Sequence, residues 1–411
     1  MSTNLNFSTK FTHALDTFGP FAKAAHMKLE LNEARQIALF YQLHKHRQLT
    51  GKDGLLELIR QLGYVQIDTI SVVERAHHHT IWSRINCYDK NWLDELLAKD
   101  RQIYEHWGHA ASYLPMEDYR YSLPRMRKFP ETSSWEKQFF TKYKHLQQDV
   151  LARIKAEGPL GAKDFPDKRE IKTDFGWGSG KPEKIALELL LWKGELMVDR
   201  RDKFQRIYDL TERILPDWVN TSFPSSEELC RHHILRSLSA LGIGTESDIR
   251  GHFMLKKSSE FTAQLNNLLE AGELQKLAVS GLPEDYYMLQ HIVDAALQPL
   301  PATPQVFIFS PFDNLVIQRP RLKKLFGFDY TIECYTPPQK RVYGYWCLPL
   351  LYGQQFVGRL DCKANRSKGK MELIKLHLEE GIKPDKKLKL ALQNTFDQFA
   401  KFCGCESVDI I

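Results

Sequence analysis

The chain has 411 residues, a formal net charge of +6, 43% hydrophobic and 26% charged residues. At roughly 100–200 residues per domain this length implies about two to four domains, and the composition excludes long disordered stretches. No apolar run approaches the ~20 residues of a membrane span, the N-terminus lacks the apolar segment of a secretory signal, and seven scattered cysteines without a CxxC pair argue against a disulfide framework or a structural zinc site. A cytoplasmic protein with reduced thiols is expected. Mild basicity fits nucleic-acid contact without demanding it, because only clustered charge makes a footprint.

Residues 1–28 read as a polar arm, with Met27 as an alternative translation start. Leu29–His44 reads as a helix capped by Asn32, with Ile37, Ala38, Tyr41 and Leu43 at helical spacing. Gly54–Leu62 is a second helix, stopped by Gly63. The next stretch, LGYVQIDTISVVERAHHHTIWSR, begins as a strand in which Val65, Ile67 and Ile70 suit a pleated, half-buried surface. Asn91–Lys99 is a third helix started by a polar cap, and Arg101–Pro115 reads as a hairpin. Residues 29–135 thus form a first winged-helix unit.

The pattern repeats over 136–222. A helix in VLARIKAEGPLGAKDF meets a turn at Gly158–Gly161 and starts another helix. Pro182–Lys193 is a further helix, begun by a proline suited to its first turn, and a hairpin follows. It repeats again over 223–300, where a helix meets a turn at Gly242–Gly244 and Thr245 with Asp248 starts a capping box. The segments LLLWKGELMV and LLEAGELQKL share a leucine-rich helix followed by GEL, an internal repeat of one supersecondary unit. Pro299–Pro304 is a linker. From 305 to 411 short aromatic and β-branched runs alternate with turns, as in an antiparallel sheet or small barrel, closed by a helix at Lys386–Phe402. The expected class is α+β: tandem winged helix-turn-helix units followed by a C-terminal β-rich, barrel-like domain.

Three constellations carry chemistry. Gln66 and Asp68 flank Ile67, and in an extended chain residues two apart share a face. Asp68 either caps the next helix or pairs with an arginine, or it acts on a water or a developing cation while Gln66 orients it. Arg75, His77, His78, His79 and Arg84 follow as a polar, cationic strip: a solvated face, or a rim for phosphates. Metal binding there would need His106 and His109 as well, in no recognised ligand spacing, so no metal is expected. Arg200, Arg201, Lys203 and Arg206 crowd the tip of the second hairpin, either solubilising it or contacting a DNA backbone.

Taken together, VQID at Val65–Asp68, ERAHHHTIWSR at Glu74–Arg84, EHWGHAASYLP at Glu105–Pro115, KPEKIALELLLWKGEL, SPFDNLV at Ser310–Val316, LFGFDYTIECYTPPQKRVYGYWCLPLL and VGRLDCKANR resemble the YcaQ/AlkZ-like winged-helix DNA glycosylases. The resemblance runs from about Leu29 to the C-terminus. Its catalytic motif is Gln, an apolar residue, then Gln or Asp, here Gln66-Ile67-Asp68. The resemblance implies monofunctional hydrolysis of the N-glycosidic bond of alkylated purines, including those in interstrand crosslinks, with no metal and no organic cofactor. The Asp form is similar to the general repair branch, the Gln-x-Gln form to the branch dedicated to one natural-product crosslink. Double-stranded DNA is then the partner, met by a monomer without membrane contact.

Such chemistry suits these residues. An N7-alkylated purine already carries positive charge and leaves readily, so what remains is to stabilise an oxocarbenium-like sugar and supply water. A carboxylate does both, an amide can hold the water, and no lysine nucleophile stands near the motif. A crosslinked base cannot be flipped far, so a shallow, open site is expected. The competing class is a non-enzymatic winged-helix transcription regulator, since fold alone does not decide function. A carboxylate facing DNA repels phosphate and has little use in a pure binder. An interaction scaffold would instead bury Gln66 and Asp68 away from any cationic groove.

Overall fold

The computed structural model describes residues 27–45, 47–131, 134–165, 181–295 and 297–410. The polar arm before Met27 lies outside them, and so does the continuation of the helix expected to start in AKDF, whose described start, Ala162–Asp164, is a single 3-10 turn. Three copies of one unit are built in succession: a helix, a short extended segment, one or two helices, and a hairpin whose second strand pairs back to that segment.

The N-terminal segment contributes elsewhere. Met27–Leu29 is a strand (β1), not the end of an arm, and the helix Leu31–Leu39 (α1) continues in a π-type turn through His44. Its start lies before Asn32, at Glu30, whose N–H donates to Glu33 across the first turn at 2.8 Å. In the first repeated unit Gly51–Leu62 (α2) ends on Gly63, at φ +75°, where only glycine is free of Cβ strain. Val65–Gln66 (β2), Ala76–Trp82 (α3) and Asn91–Ala98 (α4) follow; Asp89, not Asn91, accepts from the first N–H of α4. Ile103–Trp107 (β3) and Ala111–Pro115 (β4) close a sheet of order β2-β4-β3. Leu123–Lys128 (α5) and Ser134–Lys142 (α6) lead to the next unit.

That unit comprises Lys144–Glu157 (α7), Leu160–Gly161 (β5), Pro182–Lys193 (α8), Leu196–Asp202 (β6) and Gln205–Leu210 (β7), with sheet order β5-β7-β6, before a short helix at Thr211–Ile214 (α9). The first two units share one apolar core: Leu55, Ile59, Val65, Ile67 and Ile81 pack in one cluster with Ile154, Leu187, Leu190, Val198 and Tyr208.

The third unit has Ser226–Leu241 (α10), capped by Ser225, then Glu246–His252 (α11), Ser259–Glu270 (α12), Leu274–Val279 (β8), Tyr286–Leu289 (β9) and Gln290–Asp294 (α13). Thr245 and Asp248 form the expected capping box. Gly244 bridges to Tyr287 in the role of the short strand. β1 pairs in parallel with β8, and α1 packs through Ala34, Ile37 and Ala38 into this unit's core beside Ile234, Leu238 and Leu265. The helix expected to open the first unit therefore packs against the third.

The C-terminal domain is a curled half-barrel of five strands: Val306–Ile308 (β10), Cys347–Tyr352 (β11), Gln355–Asn365 (β12), Lys370–Leu378 (β13) and Ser407–Ile410 (β14), with Arg319–Phe326 (α14) and the closing helix Lys386–Phe402 (α15). It departs from the antiparallel expectation at one edge, where β14 returns after α15 and pairs in parallel with β13. The run YTIECY forms no strand. The buried Glu333 carboxylate instead accepts from the N–H groups of Val342, Tyr343 and Gly344 at 2.8–3.1 Å and folds the segment into a loop. Among the described residues no helix is long and apolar enough to cross a membrane.

Candidate active site and nucleic-acid interface

Gln66 ends β2 and lies opposite Ser112 of β4. The ladder runs one residue further, through an Ile67 N–H donating to the Ala111 carbonyl at 2.8 Å. Val65 and Ile67 enter the shared core. Strand alternation then turns Gln66 and Asp68 to the other face. Gln66 is buried, and its Oε1 has no hydrogen-bond partner within the protein. A buried acceptor left unpaired is costly, which fits an atom kept for a water or a ligand.

Asp68 is half-buried where the chain leaves the sheet. Its Oδ1 accepts from the Ile70 N–H at 2.7 Å, a local turn rather than a pairing with arginine. Burial pushes its carboxyl above the ordinary carboxylate range, with the Ile70 N–H opposing. The C-terminal domain flanks it. After burial, the negative charge of Asp68 is the next cause that holds the Cys334 thiol above its ordinary value, and the Tyr335 phenol is raised by burial, then by Cys334, then by Asp68. This loop beside the carboxylate is exposed, with Tyr335 at 74% and Val342 at 66% of their full accessibility. A cavity of about 1180 Å³ between Arg47, the end of α3 and α15 is lined by neither Gln66 nor Asp68.

The strip after the motif is not a cationic rim. Arg84 is fully buried, and its guanidinium donates to both Asp313 oxygens and to the carbonyls of Gln42 and Thr80. With no exposed surface it reaches no phosphate. His77 and His79 are buried; His79 Nε2 bonds the Ile308 carbonyl at 3.0 Å. His78 bonds the Tyr88 hydroxyl at 2.8 Å. Burial pushes His78 and His79 down to about 4 and His77 well down, so all three are neutral at neutral pH. Among the described residues no group of three or more His, Cys, Asp or Glu side chains converges as a metal site would require.

Arg75 meets the second hairpin instead. The β6–β7 turn places Lys203 and Phe204 at φ +45° and +73°, the geometry of a tight two-residue hairpin turn. Phe204 lies under the Arg75 guanidinium at 4.0 Å and the Arg201 guanidinium at 4.2 Å, and stacks on His77 at 5.6 Å. The two basic constellations thus meet around an aromatic residue the sequence reading passed over.

Of the four wing-tip cations, two are engaged internally. Arg201 and Arg206 both donate to Glu105 at 2.5–2.8 Å, and that carboxylate has no solvent exposure. Burial alone would raise Glu105, but the two guanidiniums outweigh it and hold it below the usual carboxylate range. Bound to Glu105 with side chains only 7% and 15% exposed, they are poorly placed as phosphate contacts. Lys203 is exposed, and Arg200 is half exposed while bonding Asp199 at 2.6 Å. Glu105 was legible only as part of the stretch EHWGH; nothing local marks it as an anchor for residues about a hundred positions away.

A family model for the AlkZ-like DNA glycosylases matches residues 59–402 of the chain. Among solved structures, the DNA glycosylase AlkZ of Streptomyces sahachiroi superposes with a TM-score of 0.63 at 14% identity, covering 94% of this chain and 100% of that one. At that identity the likeness shows a shared fold, whereas the family match spans most of the chain and both halves of the site. The chain belongs to the AlkZ-like DNA glycosylase family, and is a DNA repair glycosylase that acts on DNA.

Proposed function

We propose that the protein hydrolyses the N-glycosidic bond of N7-alkylated purines, including purines tied into interstrand crosslinks, by water attack assisted by Asp68 and Gln66. The observation that carries this reading is the state of Asp68: a half-buried carboxylate raised by desolvation, beside a buried amide whose oxygen has no partner. A raised pKa makes a carboxylate a better base for water, provided it remains ionised at working pH. In its ionised form it also opposes the positive charge that develops on the sugar. Gln66 presents an acceptor to the water's second proton or to a donor on the substrate. The leaving purine carries its own charge, so the site needs no strong acid.

Among the predicted phosphate contacts, the exposure of Lys203 and Arg200 favours these two as partners of the DNA backbone, and Arg75 lies over the Phe204 ring at the same tip. The open loop at Tyr335 beside Asp68 fits a shallow site that leaves a crosslinked partner strand in place. The same reading makes the protein a cytoplasmic monomer that works without metal or organic cofactor.

Release of 7-methylguanine from alkylated duplex DNA tests the reading. The wild type should release it, and Asp68→Asn should lose about a hundred- to ten-thousand-fold in rate while still binding duplex. Equal rates in both proteins would remove Asp68 from the mechanism. A wild type inert on this adduct and on a nitrogen-mustard crosslink would remove the substrate class.

A further inference from the structure

A surface outside the Gln66–Asp68 motif combines aromatic rings with cations. Trp107 ends β3 on the wing of the first unit and is 37% exposed; Phe223, in the segment before α10, is 49% exposed. Between them runs α5. Its Met126 is buried, while Arg125, Arg127 and Lys128 are exposed. The Arg125 guanidinium lies over the Trp107 ring at 4.7 Å and that of Arg127 over the Phe223 ring at 5.1 Å. Residues two apart on a helix point to opposite sides, so the rings flank α5, separated by about a helix diameter, ~10 Å or more.

Both aromatic residues are anchored, Trp107 through its ring and Phe223 through the backbone beside it. Trp107 meets Trp192 edge-on at 5.6 Å. The Ser222 carbonyl next to Phe223 accepts from Arg120 at 3.2 Å. The strip also has a fixed relation to the motif. Trp107 lies opposite Ala111, whose carbonyl accepts from the Ile67 N–H. Its backbone is therefore two strand spacings from Ile67, about 10 Å.

We infer that this strip binds unpaired DNA nucleotides next to the duplex being repaired. Base faces stack on aromatic rings and on arginine planes, and a continuous duplex offers neither face because its bases are already stacked. Lys128 supplies charge for the phosphates of the same strand. The inference rests on the glycosylase reading for its place beside the lesion, but not for its test.

The test uses lesion-free DNA and fluorescence anisotropy at one fixed salt concentration, because affinity for any DNA varies with salt. A blunt duplex is compared with the same duplex carrying a single-stranded overhang. The wild type should bind the overhang DNA about tenfold or more tightly, the size of one stacked base. A Trp107→Ala, Phe223→Ala double variant should lose that preference, keep its affinity for the blunt duplex and keep base release from a blunt lesion-bearing duplex. Trp107→Phe with Phe223→Trp should retain the preference. Equal binding of the two DNAs by the wild type overturns the inference without any variant, and so does a preference that survives the double substitution. Either result leaves the test of Asp68 untouched, and failure of base release would leave the strand preference standing.

Discussion

Arg84 and Asp313 lie 229 positions apart in the chain and are joined by two hydrogen bonds of 2.6 and 2.8 Å, with neither side chain exposed. One end belongs to the segment that follows the Gln66–Asp68 motif, the other to the C-terminal domain. A paired, fully hydrogen-bonded ion pair tolerates burial, but removing one partner leaves an uncompensated charge. The pair therefore fixes the C-terminal domain against α3, and with it the Cys334–Tyr335 loop beside Asp68. Asp313→Asn should destabilise the protein by about 3–5 kcal/mol, read from chemical denaturation. Arg84→Lys should cost stability too, because lysine cannot reproduce the two-pronged contact. A denaturation midpoint for Asp313→Asn equal to that of wild type would show that the pair bears no structural load.

Glu105 makes a second prediction. Glu105→Gln takes from Arg201 its carboxylate partner and leaves Arg206 only Glu188, at 3.8 Å, and should also lower stability by about 3–5 kcal/mol. The pH dependence has a definite sign. The folded-state pKa of Glu105 lies below its unfolded value. Its contribution is therefore present above the unfolded carboxylate range and is lost as pH falls through the folded pKa. Acid melting curves of wild type and Glu105→Gln should converge as pH drops; a constant gap would place the effect elsewhere.

Asp68 has the opposite sign. Burial raises its pKa on folding, so its charged form opposes folding at neutral pH and protonation stabilises the folded state. Asp68→Asn should melt at or above the wild-type temperature while losing activity, the pattern of a residue kept for function at a cost in stability. The acid limb of kcat should lie at higher pH than an ordinary carboxylate would give, since the base must be ionised. An acid limb below pH ~4, the range of an unperturbed aspartate, would contradict the burial argument.

At the hairpin tip, exposure separates the proposed DNA contacts from the arginines that anchor the hairpin. Lys203→Ala should reduce duplex affinity evenly across sequences and lower the slope of log K against log salt by about one, with little change in stability. Arg200→Ala should do the same to a smaller extent, because Asp199 already holds it. If Lys203→Ala leaves the salt slope unchanged, DNA does not run over this tip.

Phe204→Ala removes the ring that Arg75, Arg201 and His77 share. It should weaken the protein by about 1–3 kcal/mol, and double-mutant cycles should show Phe204 coupled to Arg75. Additive effects would mean that the two basic constellations only lie close together.

Local pattern carried most of the elements. Apolar periodicity and caps sufficed for α8, α10 and α15, and the repeat of GEL after a leucine-rich helix announced a duplicated unit, because helices and hairpins are set by residues a few positions apart. The same locality explains the misses. Leu31–Leu39 reads as a helix from its own residues, but nothing near it says that it packs into the core of the third unit rather than the first. YTIECY has strand composition, yet three backbone hydrogen-bond donors from ten residues away fold it around Glu333.

For the site, the sequence by itself determined the motif. Gln66 and Asp68 on one face of an extended segment follow from the two-residue period of any strand, and the matched stretches identified the family. Which charges are available to DNA was decided by tertiary structure alone. Arg84, Arg201 and Arg206 look like surface cations in the sequence, and they are neutralised by Asp313 and Glu105, partners 229, 96 and 101 positions away. Three histidines that read as a polar strip are desolvated and uncharged. Charge is a property of a residue, but its availability is a property of what the fold brings next to it, and no spacing along one chain encodes that.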